Sequence, residues 1–193
     1  MSIFACLLTL NITGLPVKAP VVQVGEYKIV VGHTSANDLL SKGFTFSGKD
    51  PNDIIVNKRD SHFYFGETAE LVKDGKGYGY VNLTPKYEDK GKLADCIITY
   101  YCISSKSKML DYVKIANKDL SKLSVDYFEK ENMRYIFLLS PLSYRESKVK
   151  GHYSFVMQTH PYVLWKRYTI EVTFNDDRKS DQFEVYAQHT LWE

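Results

Sequence analysis

"ANDLLSK", Ala36 to Lys42, returns as "ANKDLSK" at Ala116 to Lys122. Ala, Asn, Leu, Ser and Lys recur in the same places, and the reading of these two stretches decides the architecture expected of the chain. Ahead of the first copy, "EYKIVVG" (Glu26 to Gly32) is rich in β-branched residues and reads as a strand. Ser35 with Asp38 three places on has the pattern of a capping box, and Gly43 is placed to end a helix of about two turns. Ahead of the second copy, "DYVKI" (Asp111 to Ile115) reads as a short strand. Asn117 can then cap a helix from Lys118 to about Lys130, with Leu120, Leu123, Tyr127 and Phe128 along one apolar stripe.

Working outward, four strand candidates follow the first helix: "DIIVN", "SHFYFGE", "YGYVNLTP" and "ADCIITYYCIS". Turns rich in Gly, Asp and Lys, such as "KDGKG" and "YEDKGK", separate them. After the second helix come "RYIFLLS", "GHYSFVMQ", "RYTIEVTF" and "QFEVYAQHTLW", with "NDDRKSD" as a hairpin turn between the last two. Each half therefore reads strand, helix, four strands, although the register between copies fails beyond the helix. The fold class expected is α+β: two helix-plus-four-stranded antiparallel sheet units in tandem, with an internal duplication behind them. The units would span 1–107 and 108–193, as two lobes or one continuous domain. A helix laid over the apolar face of a meander closes a small two-layer core. An extra N-terminal β-hairpin would pair "SIFACLLTLNIT" with "VVQVGEYKIVV". The rival reading of "MSIFACLLTL" is the start of a signal peptide or lipobox ("IFAC"), but no Lys or Arg precedes the apolar run, and Pro20 follows the "VKA" cleavage-like pattern.

The bulk composition narrows the function classes. With 25 basic and 23 acidic side chains the net charge is +2, which gives no electrostatic case for nucleic acid or an anionic membrane. No apolar run is long enough to form a transmembrane segment. Cys96 and Cys102 would share a strand face about 20 Å apart, beyond disulfide reach, and read as small buried hydrophobes. A bridge from either to Cys6 stays open.

Motifs for chemistry are sparse. His33, His62, His152, His160 and His189 lack metal-ligand spacing, and there is no Cys-x-x-Cys, so no metal site is expected. No nucleophile signature is present. "DGKGYG" precedes no helix and reads as a flexible turn rather than a phosphate cradle. "NDDRKSD" lacks the Gly and Glu of a calcium loop. The sequons at Asn11 and Asn82 read as coincidence. No cofactor is expected.

"YKIVVGHTSANDLLSKGFTF" followed by "KLADCIITYYCIS" resembles uncharacterised secreted proteins and lipoproteins of Firmicutes bacteria. Gly32, Thr34, Asp38, Leu39, Leu40, Gly43, Phe44, Leu93, Asp95, Cys96 and Ile98 carry that resemblance, which covers about residues 26–104. It implies an extracytoplasmic location, at the cell surface. The doubled helix-plus-four-strand unit is also similar to the architecture of β-lactamase inhibitor proteins and of small outer-membrane assembly lipoproteins. Members of that architecture mostly grip other proteins through an aromatic-rich sheet.

The aromatic load stands out, with 15 Tyr, 10 Phe and 2 Trp, much of it in strand candidates. Tyr64, Tyr162 and Trp192 belong to this set. The partner-binding candidates are Tyr78, Tyr80, Tyr100, Tyr153, Trp165 and Tyr186, of which alternation sends roughly half to each face of a sheet. The bland account has them filling the core. The leading functional expectation is a non-catalytic module that binds another protein through an aromatic sheet face. The alternative is a small-molecule or glycan binder with a cleft near Trp165. A hydrolytic enzyme with unrecognised site residues comes third.

Overall fold

The computed structural model describes residues 18–60, 63–86, 89–130, 143–149, 152–158, 167–175, 177 and 179–188. Strands β1 (Val21–Val24) and β2 (Tyr27–Val30) form a hairpin, followed by helix α1 (Ala36–Leu40) and β3 (Thr45–Phe46). Next come β4 (Ile54–Val56), β5 (Lys58–Asp60), β6 (Phe63–Phe65), β7 (Glu67–Lys73), β8 (Lys76–Thr84), β9 (Lys90–Lys92) and β10 (Ile97–Ser104). The chain continues through β11 (Val113–Ile115), β12 (Lys118–Asp119) and helix α2 (Val125–Lys130). It then runs through β13 (Ser143–Val149), β14 (His152–Gln158), β15 (Arg167–Phe174) and β16 (Ser180–Gln188).

The two near-identical stretches fold differently. At the first, the Ser35 side chain accepts from the Asp38 amide at 3.1 Å while the Asp38 carboxylate accepts from the Ser35 amide at 3.0 Å. That reciprocal cap starts α1, and the chain leaves the helix at Gly43 with φ +82°. At the second, Ala116 (φ 47°) and Asn117 (φ 65°) take the left-handed conformation and form the two-residue turn between β11 and β12. Ile115 precedes that Ala-Asn pair where Ser35 precedes the first, so no side-chain oxygen receives the helix's free amides. The second helix begins at Val125 instead, where the Ser124 hydroxyl accepts from the Tyr127 amide at 3.2 Å. The helix expected from Lys118 to Lys130 is therefore a short strand, a 3-10 turn at Leu120–Lys122, and a helix confined to the last six residues.

An eight-stranded antiparallel sheet runs in the order β13-β14-β15-β16-β10-β8-β7-β3. A four-stranded sheet, β12-β11-β1-β2, shares one core with it, and β4–β9 and β5–β6 are two-stranded ribbons. Leu71, Val81, Leu83, Tyr101, Ile170, Val172, Phe183 and Val185 of the large sheet are buried in that core. Val22, Val24, Ile29, Val113 and Ile115 of the small sheet join them, with Ala36 and Leu39 of α1. Burying each large apolar side chain stabilises by about 1.5–3 kcal/mol, so these rows hold the layers together. The layers are also tied directly: Gly32 donates to the Ile98 carbonyl at 2.7 Å, and Ala36 to that of Cys96 at 2.7 Å.

These pairings overturn the α+β expectation. The protein is mostly β-sheet, with two short helices among the described residues. The halves do not stand as tandem helix-plus-four-strand units, because β10 pairs with β16 in the large sheet and β1 with β11 in the small one. Strands from both halves thus complete each other's ladders, and helices of five and six residues are too small to cover a sheet. Several strands lie where none was expected, β3, β5, β7, β9 and β13 among them. "ETAELVK" (β7) has helix-forming composition and "SYRESKV" (β13) reads as a linker, yet pairing with β8 and β14 makes both extended. "SIFACLLTLNIT" and "RYIFLLS" lie outside the described residues. "VVQV" is itself the first arm of a hairpin with "YKIV". Among the described residues no helix is long and apolar enough to cross a membrane.

Candidate functional site

On the face of the large sheet opposite the core, β8, β10 and β16 enclose a concavity of about 500 Å³. Tyr80, Tyr100 and Tyr186 each come from one of these strands, and Phe65 of β6 stands beside them. Tyr100 lies opposite Tyr186 in one ladder and opposite Asn82 in the other, and Cys102 lies opposite Tyr80. Tyr80 is 51% and Phe65 40% exposed, while Tyr100 and Tyr186 are half-buried.

Two bulges decide which side chains reach this face. One inserts Thr99 into β10, between the Ile98–Leu83 and Tyr100–Asn82 pairs. Before it, Ile98 points into the core; after it, Tyr100 and Cys102 point out. Cys96 and Cys102 consequently end in different places, Cys96 in the core and Cys102 in the concavity, rather than on a shared face. Both are free thiols; Cys6 lies outside the described residues. The second bulge adds a residue to β8 between its pairings with Glu70 and Val72. Gly79 there has φ +107°, and a Cβ on it would overlap the Cys102 carbonyl oxygen. Tyr78 thereby turns to the core side, its ring centroid 6.1 Å from that of Phe44, and the Tyr101 hydroxyl donates to its carbonyl.

The floor is a neutral hydrogen-bond network. Asn82 Oδ1 accepts from the Gly66 amide at 2.9 Å and from the Thr84 hydroxyl at 2.8 Å. The Thr99 hydroxyl lies 2.7 Å from that of Thr84. Asn82 Nδ2 donates to Thr68 Oγ1 at 3.3 Å. Gly66 is required for this close approach, since any Cβ would collide with the Leu83 carbonyl. At the rim, the Tyr100 hydroxyl donates to Glu184 Oε1 at 2.8 Å, and the Gln182 amide donates to the same oxygen.

Ionisation of Tyr100 and of both described cysteines is suppressed. Burial pushes the Tyr100 phenol up, and Cys102 and Glu184 beside it push it further. Burial likewise pushes the Cys102 thiol up. Cys96 in the core rises to about 12, by burial first and then by Asp95 and Glu67. Since the thiolate is the nucleophile, neither cysteine is primed to attack near neutral pH. Among the described residues no group of three or more His, Cys, Asp or Glu side chains could hold a metal ion.

Of the six residues singled out from sequence, Tyr80, Tyr100 and Tyr186 converge here and Tyr78 does not. Tyr153 pairs through its backbone with Phe174, four strands from β8, and its side chain and Trp165 lie outside the description. Phe65, Thr68, Asn82 and Thr99 were not among those six. Asn82 had drawn notice only as part of a sequon, and its use by a glycine amide 16 residues earlier has no local signal. No family model, no curated protein and no solved structure matches this chain.

Proposed function

We propose that the protein is a non-catalytic binding protein that holds a small ligand in the aromatic concavity of its large sheet. The observation that carries this reading is the convergence of Tyr80, Tyr100 and Tyr186, from three adjacent strands, around a hollow of about 500 Å³. That volume falls within the range of small-molecule sites, which are lined mostly by apolar and aromatic groups with a few placed polar ones. The suppressed ionisation of Cys102 and Tyr100 favours binding over nucleophilic or acid–base chemistry at neutral pH.

A fragment screen followed by tyrosine-ring NMR tests it. Ligands that bind should perturb Tyr80, Tyr100, Tyr186 and Phe65 together, and Tyr80→Ala should weaken them. Fragments that bind only elsewhere on the molecule would remove the basis for the reading. A second reading, contact with another protein, is favoured by the exposure of Tyr80 and Phe65 at the rim. It predicts that Tyr80→Ala weakens capture of a protein partner while leaving fragment binding at Tyr100 and Tyr186 intact.

A further inference from the structure

We infer that the concavity selects an uncharged, ring-bearing molecule that presents a hydrogen-bond-accepting oxygen to Asn82. This rests on the binding reading above and deepens it by naming the ligand's chemistry.

The inference starts from which end of the Asn82 amide faces the ligand. An amide's oxygen and nitrogen are told apart by their partners. The Gly66 N–H can only donate, and it lies 2.9 Å from one end of the Asn82 side chain, so that end is the oxygen. The Thr84 hydroxyl occupies the same oxygen at 2.8 Å. The acceptor is therefore committed to the protein. The other end is an NH₂ with two hydrogens, of which one reaches Thr68 Oγ1 at 3.3 Å. The remaining N–H has no partner among the described residues, and Asn82 lines the hollow while only 8% exposed. A donor this buried is costly to leave unused, so a ligand oxygen that accepts from it gains most of what the vacancy forfeits. Thr68 and Tyr80 add hydroxyls that can also donate.

Charge and shape narrow the class further. Among the described residues, no side chain lining the hollow carries a formal charge at neutral pH. The Glu184 carboxylate, opposite Cys102 in the ladder, is already held by Tyr100 and Gln182 at the rim. An anion placed over Asn82 would lose hydration with no cation among the described lining residues to replace it, and a cation there would meet a donor rather than an acceptor. The aromatic rings of Tyr80, Tyr100, Tyr186 and Phe65 favour a flat partner, by offset or edge-to-face packing.

The test uses two matched probes, 2-naphthamide and its charged counterpart 2-naphthoate, titrated into the full chain by NMR of the tyrosine rings. The amide should bind at Tyr80, Tyr100 and Tyr186, and the carboxylate should bind at least about tenfold more weakly. Asn82→Asp keeps an acceptor for Gly66 and removes the donor, so it should cost about tenfold in amide affinity. Tyr80→Ala, at an exposed position, should also weaken the amide and serves if the Asn82 variant fails to fold. Equal or tighter binding of naphthoate at the same tyrosines overturns the neutral-ligand inference and leaves the site standing. So does failure of both probes while other fragments perturb those rings. Silence of the three tyrosines to both probes and to every fragment would end both proposals.

Discussion

Tyr100 and Tyr186 stand directly opposite each other across the β10–β16 ladder, one from each half of the chain. This pair is where the two halves of the large sheet join, and it forms the middle of the aromatic concavity. Tyr100 is anchored by its hydroxyl, which donates to Glu184 Oε1 at 2.8 Å. Tyr100→Phe should cost about 1 kcal/mol of stability, the usual net worth of such a bond at a half-buried site, read from urea unfolding. A neutral result would mean that the rim is held by packing alone.

Gly79 separates the core-facing Tyr78 from the outward-facing Tyr80. Gly79→Ala adds a Cβ that overlaps the Cys102 carbonyl and places a side-chain-bearing residue at φ +107°. A loss of about 2–3 kcal/mol is expected, together with changed tyrosine-ring shifts at the concavity. Unchanged stability would mean that the β8 bulge is not what sets the faces.

The diverging copies of the Ala-Asn stretch make opposite predictions. Ser35→Ala removes one half of a reciprocal cap and should destabilise by about 1 kcal/mol. Ala116→Gly relieves a left-handed alanine (φ 47°) and should be neutral or stabilising by up to about 1 kcal/mol. Thermal denaturation of the two variants side by side distinguishes a helix start from a hairpin turn.

Lys73 closes one end of the core. Its ammonium donates to the Tyr27 hydroxyl at 2.6 Å and the Lys42 carbonyl at 2.7 Å, and lies 4.0 Å from the Tyr27 ring centroid. It thus ties β7 to β2 and to the turn after α1. Lys73→Met keeps the aliphatic stem and should lose about 1–2 kcal/mol, seen as faster amide exchange around Gly43.

Asp119 accepts from Lys114 at 2.9 Å and from Lys122 at 2.8 Å. The two lysines, Lys122 first, hold its carboxyl down at about 2 from an ordinary value of 3.8. Because the folded value is the lower one, the stabilising contribution is present above 3.8 and is lost as pH falls through 2. A carboxyl NMR titration should show a midpoint near 2, moving upward in about 0.5 M salt as screening weakens an exposed pair. A midpoint near 3.8 at low salt would mean that the lysines do not hold it.

Much of the local structure was legible, and the reasons are local. The Ser35–Asp38 cap, the Gly43 exit and the strands at Tyr27–Val30, Lys76–Thr84, Ile97–Ser104 and Arg167–Phe174 follow from capping chemistry and β-branched or aromatic runs. The repeat misled because residue identity was read without its neighbour. Ala36-Asn37 follows a serine that caps, and Ala116-Asn117 follows Ile115, the end of a strand. Tyrosines 80, 100 and 186 were legible as surface candidates, but Tyr78 was not separable from Tyr80. Residues two apart share a face unless a bulge intervenes, and the bulge is set by the pairing of β8 with β7.

The sequence by itself determined the strand-rich character, the cap of the first helix, the near-balanced charge and the supply of tyrosines. Each of these depends on residue type and on neighbours a few positions away. Only the tertiary structure decided that β10 meets β16 and β1 meets β11, merging the halves into shared sheets. It also decided that Asn82 turns its oxygen to Gly66 and its amide nitrogen toward Thr68 in the hollow. Ladder pairing and side-chain orientation depend on backbone groups brought together from distant positions, and no property of a single stretch carries that information.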